Sequence, residues 1–316
     1  MKKKIMFYGN CQLGVLSRML EINTPQFNEN YEILKAQNYD LATIWIEEVG
    51  VVAPFMYVPT TEHGCATEKT IKSLERIIDD SDIIVIQKFN EATDRRIELT
   101  TDYIYDKYHS TKQIICIPSF WFSGYLSENH KNDLQIPYIF IWLLEKGLNN
   151  TQILDWLKNE NDPKIGALID YNVNSCLEEL KLREADECSK YKCFISILDI
   201  VNTYKENIIC YNVSHPSKYY FKMLYKKLIC VLDETLFCDS DIDIDENNII
   251  LPGPDWAIFP LDLCWFRENF KGLNVSRDSY QTFINIDFIN TQVERVKTLN
   301  AEDLQMLQPK INFLKA

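Results

Sequence analysis

The sequence predicts an α/β protein built on a parallel sheet of about five strands, with helices on both faces. Short apolar runs recur along the chain, and helical patterns separate them. Within each run the apolar residues are consecutive, which is typical of strands that are buried on both faces. Five such strands, joined by right-handed crossovers, favour a three-layer architecture with the flavodoxin-like strand order 2-1-3-4-5.

The candidate elements have the lengths and boundaries that this fold requires. The strands are rich in Ile, Val, Phe and Tyr and are bounded by polar or turn-forming residues. They cover residues 4–9, 31–37, 82–89, 112–118 and 207–213. The helices each place apolar side chains on one stripe. They cover residues 12–22, 67–81 and 217–232. Strands and helices therefore alternate, as in a parallel sheet.

One long segment interrupts the alternation. Residues 119–206 separate the fourth and fifth candidate strands, which is far more than a single crossover needs. Because this segment carries helical patterns, we expect residues 119–205 to form a helical insertion or cap. Residues 1–118 and 206–316 then form the α/β core. The insertion follows the carboxyl end of a strand, where open α/β sheets bind their ligands.

Composition and charge exclude several classes of protein. The chain has 316 residues, 46% of them hydrophobic, and a net charge of −13. Such an acidic protein lacks the basic face that nucleic-acid binding requires. Its longest apolar runs are too short for a membrane span, and the apolar run after the N-terminal lysines is too short for a signal peptide. Ten cysteines occur without a CxxC pair, which is typical of a reducing, cytoplasmic environment.

The first strand runs into an unusual turn, Gly9-Asn10-Cys11-Gln12, and a helix pattern follows at once. Cys11 is therefore expected near a helix N-terminus, where backbone N–H groups and the helix dipole stabilise a thiolate. The same N–H groups are suited to holding an oxyanion. The alternative interpretation is a small buried cysteine beside a tight turn.

A histidine follows the fifth candidate strand directly. It is His215, one of only four in the chain, and Asn212 precedes it by three residues. Since parallel strands end at the same edge of a sheet, Cys11 and His215 are both expected at the carboxyl edge. A cysteine, a histidine and an asparagine there supply a nucleophile, a base and a group that orients the base. The alternative role for His215 is capping of the following helix.

Two stretches carry a family resemblance, namely FYGNCQ at residues 7–12 and NVSHPS at residues 212–217. They resemble the WcbI-type polysaccharide biosynthesis acetyltransferases, whose fold is similar to that of the SGNH/GDSL hydrolases. SGNH enzymes carry Gly-Asp-Ser after the first strand and Asp-x-x-His late in the chain. Here Cys11 stands in place of the serine and Asn212 in place of the aspartate. The resemblance spans residues 4 to 232 and implies a Cys11–His215 pair assisted by Asn212.

Further residues are candidates for binding. Asn10 and Gln12 of the turn are assigned to the oxyanion or substrate. The resemblance adds Gln87 and Asn90, because SGNH enzymes carry an oxyanion-hole asparagine after the third strand. Six further residues are assigned to coenzyme A binding. They lie after the fourth strand, at the start of the helix after His215, and at the end of the third strand: Ser119, Trp121, Tyr125, Ser217, Lys218 and Lys88. The alternative role for the aromatic residues is a buried anchor for the insertion, and the alternative for the charged residues is ordinary surface charge.

No metal site is predicted. The acidic segment 239–250 alternates Asp residues as a calcium loop does. However, Ile244 takes the place of the required glycine, and Ile250 that of the final glutamate. No His/Cys cluster has zinc spacing.

The resemblance implies an acyltransferase that moves an acetyl group from acetyl-CoA to a sugar hydroxyl in capsule or surface polysaccharide biosynthesis. Cys11 either carries the acetyl group as a thioester or shapes the site, while His215 activates the hydroxyl. Two other functions are compatible with the same residues. One is an SGNH-like esterase or deacetylase with a cysteine nucleophile, and the other is a non-catalytic ligand-binding α/β protein.

Overall fold

The computed structural model describes residues 2–24, 26–38, 68–88, 97–122, 124, 137–159, 163–207, 209–212, 215–236 and 285–316. The chain divides into two compact units. The first comprises Met1–Ser119, Lys181–Val201 and Lys218–Pro252, and the second comprises Phe120–Leu180, Asn202–Ser217 and Gly253–Ala316. The predicted core and insertion boundaries stay a prediction.

The first unit contains a four-stranded parallel sheet. Its strands are β1 (Lys3–Gly9), β2 (Tyr31–Asn38), β3 (Ile83–Lys88) and β4 (Gln113–Pro118). Their order is β2-β1-β3-β4, and every neighbouring pair is parallel. This confirms the α/β class and the first four positions of the predicted strand order.

Helices follow the strands in the alternation that the sequence predicts. The described α-helices are α1 (Cys11–Asn23), α2 (Phe27–Asn30), α3 (Glu68–Asp80), α4 (Thr101–Tyr108), α5 (Pro137–Glu145), α6 (Asn150–Asn159), α7 (Pro163–Lys190), α8 (Leu198–Val201), α9 (Lys218–Asp233), α10 (Ile286–Lys297) and α11 (Ala301–Lys315). None of these described helices is both long and apolar enough to cross a bilayer.

The sheet buries apolar side chains on both faces. Met6 and Tyr8 of β1 pack with Ile84, Ile86 and Cys116 in one cluster. The apolar stripes of α3 and α4 complete that cluster. On β1, Ile5 and Phe7 alternate with this set and are also fully buried. Helices α1 and α9 pack together, and the hydroxyl of Thr24, the C-cap of α1, shares a hydrogen bond with the hydroxyl of Tyr225 in the middle of α9.

The predicted fifth strand is wrong for the residues that the structure describes. The outer side of β4 is occupied by the segment after α7. Cys116 donates its N–H to the Cys193 carbonyl at 2.9 Å and accepts from the Ile195 N–H at 2.9 Å. This makes a single parallel bridge to Phe194. An apolar run after a long connection therefore did not become the next strand of the sheet.

Residues of the predicted fifth strand form a small separate sheet instead. β5 (Cys210–Asn212) pairs antiparallel with β6 (His215–Pro216), within the second unit. Two residues separate the strands in sequence, a spacing that suits an antiparallel hairpin and excludes a parallel crossover. An apolar run alone does not distinguish these two pairings.

The second unit is helical apart from this hairpin, in its described residues. Helix α5 packs against α10 and α11, and α6 packs against α10. Trp142 and Trp156 meet edge-to-face, with ring centroids 5.6 Å apart. Tyr171 of α7 stacks on Phe313 of α11. The chain's C-terminal helices therefore belong to this unit.

Candidate functional site

The turn between β1 and α1 begins the candidate site. Gly9 ends β1, and Cys11 is the first residue of α1. Asn10 is the N-cap, and its side chain accepts a hydrogen bond from the Gln12 N–H at 2.8 Å. Asparagine is among the best N-cap residues because its side-chain oxygen satisfies an N–H group that has no partner within the helix. The cap therefore fixes where the helix starts and puts Cys11 in its first turn.

Two buried glutamines tie this turn to the neighbouring strand β3. The Asn10 N–H donates to Gln87 Oε1 at 3.1 Å, and Gln87 Nε2 donates to Gln12 Oε1 at 2.6 Å. Gln87 and Gln12 are 1% and 4% exposed. We call Asn10, Gln12 and Gln87 the amide clasp. These three were predicted to bind an oxyanion or substrate. In the structure these residues form hydrogen bonds that hold the turn, and their role in binding stays a prediction.

Gly9 is required by crowding at this turn. A Cβ atom at position 9 would lie 2.6 Å from Leu13 Cδ1 and 2.8 Å from Gln87 Cβ. Real Cβ atoms essentially never make contacts this short, so α1 approaches the end of β1 closely only because residue 9 has no side chain.

Gly9→Ala is expected to lower the free energy of unfolding by about 1–3 kcal/mol, the usual cost of overpacking a dense core. Denaturant unfolding of wild type, Gly9→Ala, Leu13→Ala and the double variant measures this. Because truncating Leu13 removes the closest clash, the double variant should lose less stability than the sum of the single losses. Wild-type stability in Gly9→Ala would contradict this account of the turn.

A charged cluster lies beside the carboxyl ends of β3 and β4. Lys88 of β3 and Lys190 of α7 each place Nζ 2.9 Å from Oδ1 of Asp102. The Tyr191 hydroxyl donates to the same oxygen. Partial burial would raise the pKa of Asp102, but these three donors outweigh it and lower that pKa to about 2. Asp102 is therefore ionised and pairs with Lys88, which was predicted to bind coenzyme A.

A buried glutamate lies on α7 near this cluster. Glu187 is 5% exposed, and burial raises its pKa to about 7, although Arg183 and Lys88 favour its charged form. Burial also raises the pKa of the Cys116 thiol well above its usual value, and the charge of Glu187 adds to this effect. Glu187, Asp102 and Tyr191 were not predicted as site residues. Their sequence context, polar side chains in or beside charged helices, gives no sign of burial.

The predicted coenzyme A residues are dispersed. The carbonyl of Ser119, directly after β4, accepts a hydrogen bond from Arg183 Nη2 at 3.3 Å. Trp121 is 54% exposed, which is unusual for a tryptophan and leaves its ring accessible to a ligand. Ser217 is 2% exposed, and Lys218 begins α9. Ser119 and Lys218 belong to the first unit, Trp121 and Ser217 to the second.

Other predicted residues are described only in part or not at all. Asn90 and Tyr125 lie outside the described residues. For Cys11, Asn212 and His215 the structure describes the backbone and not the side chains. Asn212 and His215 are register partners in the β5–β6 hairpin.

The sequence argument for a shared edge does not hold, because the strand before His215 is not part of the four-stranded sheet. The predicted Cys11–His215 pair therefore rests on the family resemblance.

Metal ligands are not clustered in the part of the chain that the structure describes. There, no group of three or more His, Cys, Asp or Glu side chains is arranged to hold a metal ion. The predicted calcium-like segment 239–250 lies outside the described residues.

Comparison with known proteins gives a match in fold over almost the whole chain. A solved structure aligns over 98% of this chain and 95% of its own, with a TM-score of 0.66 and 17% identity. The fold is similar to that of WcbI. The resemblance predicted from FYGNCQ and NVSHPS is thereby confirmed at the level of the fold.

WcbI is described as a novel polysaccharide biosynthesis enzyme. The matching structure is its native protein without a disulfide bond between coenzyme A and a cysteine, the fourteenth residue of that protein. No protein-family model matches the chain. No curated protein sequence matches it either.

Proposed function

We propose that this protein is a coenzyme A-dependent acyltransferase of polysaccharide biosynthesis, which moves an acetyl group from acetyl-CoA to a sugar hydroxyl. The observation that carries the proposal is the position of Cys11. It is the first residue of α1, in a turn held by the amide clasp. The fold similarity to WcbI supports the same residue, because the description of WcbI names coenzyme A and a cysteine near the N-terminus as the two partners of a disulfide bond that the native protein lacks.

The chemistry follows from this position. The N-terminus of α1 favours the thiolate form of Cys11, because the positive end of the helix dipole stabilises negative charge there. The thiolate attacks the acetyl carbonyl, a thioester forms, and coenzyme A leaves as its thiolate. A sugar hydroxyl then attacks the thioester and gives its proton to His215, and the Cys11 thiolate is released. Asn212 is assigned to orienting the His215 ring.

A direct route remains compatible with the same residues. In that route His215 takes the proton of the sugar hydroxyl while the hydroxyl oxygen attacks acetyl-CoA, and Cys11 does not become acylated. The two routes differ in whether an acetylated enzyme forms, which makes the adduct the decisive observation.

Incubation with acetyl-CoA in the absence of an acceptor is expected to add one acetyl group to Cys11, detected by mass spectrometry of peptides. The matched control is Cys230→Ala, which removes an exposed cysteine on α9 and should leave the adduct unchanged. Cys188 is also exposed, but burial and the neighbouring Glu184 and Glu187 raise its pKa, so it should remain unmodified.

Binding of coenzyme A itself separates the transferase from the other functions. A ligand at 100 times its dissociation constant stabilises a folded protein by about 2.7 kcal/mol, which a thermal melt detects easily. Millimolar coenzyme A that leaves the melting temperature unchanged would contradict the transferase. Hydrolysis of simple acetyl esters by such a protein would indicate the esterase.

A further inference from the structure

We propose that Glu187 and Arg183 form a polar subsite at the carboxyl end of β4 that binds a neutral hydroxyl or amide group of the substrate. This inference rests on the proposed function and adds a specificity site to it. All the residues that carry it belong to the first unit.

The first observation is an unsatisfied buried carboxyl oxygen. Glu187 is 5% exposed, and its Oε2 is buried without a hydrogen-bond partner among the residues that the structure describes. A buried polar atom left in this state costs about 1–3 kcal/mol, more for a charged group. Such atoms are rare in folded proteins and each calls for an explanation, of which a ligand is one.

The second observation is a complementary donor one helical turn away. Arg183 Nε is also buried and has no partner within the described part of the chain. On a helix, residues four apart have Cβ atoms ~6 Å apart and lie on the same face. Arg183 is held in place by its Nη2, which donates to the Ser119 carbonyl directly after β4. The subsite therefore offers one acceptor and one donor beside the end of a parallel strand.

The surrounding charges favour a neutral ligand group. Besides Arg183, the described charged groups with the largest effect on the pKa of Glu187 are Lys88 of β3, and Glu184 and Asp186 of α7. The Cys116 thiol of β4 also faces it, held neutral by its raised pKa. A phosphate would be repelled by the carboxylates, and an ammonium group by Arg183 and Lys88. A hydroxyl or an amide supplies both a donor for Oε2 and an acceptor for Nε without adding charge.

The titration of Glu187 is consistent with this role. With a pKa of about 7, its side chain exchanges a proton in the neutral range, so a ligand that donates a hydrogen bond to Oε2 will favour the charged form. Binding at the subsite should therefore release protons near pH 7.

The proposed reaction offers two sources of such a group. The pantetheine arm of coenzyme A carries two amides and a hydroxyl, and a sugar acceptor carries several hydroxyls. The test therefore uses separate probes. They are coenzyme A, pantetheine, adenosine 3′,5′-bisphosphate, and the monosaccharides glucose, galactose, mannose and N-acetylglucosamine.

Isothermal titration of these probes compares wild type with Glu187→Met, which keeps the length of the side chain and removes both oxygens. Loss of a hydrogen bond to a charged group raises the dissociation constant about 10- to 100-fold. Titration near pH 7 in two buffers of different ionisation enthalpy should reveal proton release in wild type and none in Glu187→Met. Glu179→Gln, an exposed position on the same helix with the same loss of charge, should match wild type.

The outcomes identify the ligand or overturn the subsite. Weaker binding of coenzyme A and pantetheine, with unchanged bisphosphate binding, assigns the subsite to pantetheine. Weaker binding of a monosaccharide alone assigns it to the sugar. If every probe binds wild type and Glu187→Met equally well, the subsite is overturned and a buried water is left as the partner of Oε2.

Failure of the proposed function has a different signature. If coenzyme A does not bind the wild type, the transferase is contradicted. The monosaccharide titrations alone then decide whether the subsite exists. If the wild type binds neither coenzyme A, pantetheine nor any monosaccharide, both the function and the subsite are overturned.

Discussion

Cys11→Ala is expected to abolish transfer of acetyl to a sugar acceptor and to remove the acetylated form of the enzyme. Loss of a catalytic nucleophile typically lowers kcat by more than about 10³-fold, because the remaining groups act as a unit with it. The measurement is the transfer rate with acetyl-CoA and an acceptor. Cys230→Ala is the control for the loss of a thiol and should keep the wild-type rate.

His215→Ala separates the two routes. General-base assistance is worth about 10²–10⁴-fold, so this variant should transfer slowly while still accepting the acetyl group on Cys11. The acetylated form should therefore persist longer than in wild type. If Cys11→Ala instead keeps most of its activity and His215→Ala loses it, the thioester route is wrong and direct transfer is the mechanism.

Glu187→Gln is expected to make the protein more stable at neutral and alkaline pH. Because burial raises the pKa of Glu187 from the ordinary 4.5 to about 7, the folded protein binds this proton more tightly than the unfolded chain does. Wild-type stability from this group is therefore fully present below pH 4.5 and declines as the pH rises to about 7. Above that pH the wild type has lost about 3 kcal/mol that the neutral amide does not lose.

The measurement is the free energy of unfolding in urea at several values between pH 4.5 and pH 8.5. The difference between Glu187→Gln and wild type should be near zero at the acidic end and grow through the window just described. Glu179→Gln changes an exposed carboxyl on the same helix and should give a flat difference. A flat difference for Glu187→Gln as well would mean that Glu187 titrates as an ordinary exposed glutamate.

The strands of the sheet were predictable because burial on both faces leaves a clear mark in sequence. The run at 82–89 became Ile83–Lys88, and the run at 112–118 became Gln113–Pro118. The run at 207–213 is also apolar, but Cys210–Asn212 within it pairs as an antiparallel hairpin. Whether such a run joins the sheet depends on which segment of the chain pairs with the edge of β4. Tertiary packing decides this, and no local sequence pattern records it.

The candidate site was predictable at its turn and not at its charged groups. A glycine, an N-cap asparagine and a cysteine before an apolar stripe predicted the start of α1, since these residue types have local structural roles. Glu187 lies in an acidic stretch of helix that is typical of a solvent-exposed surface. Its burial depends on how α7 packs beside β4, and Asp102 becomes distinctive only through two donors 88 and 89 residues away and through Lys88. Contacts between residues so far apart in the chain leave no recognisable spacing in the sequence.

The amide clasp has a consequence for how rate measurements on this protein are interpreted. The two bonds of the clasp that tie the β1–α1 turn to β3 join a backbone N–H or a carboxamide to a carboxamide, and none of these groups ionises in water near neutrality. Acid or alkali therefore leaves these bonds of the clasp unaltered as long as the fold persists. Inflections in a plot of log kcat/KM against pH will then report the ionisation of the reacting groups and of Glu187. The same plot for Glu187→Gln reports the thiol and its base alone.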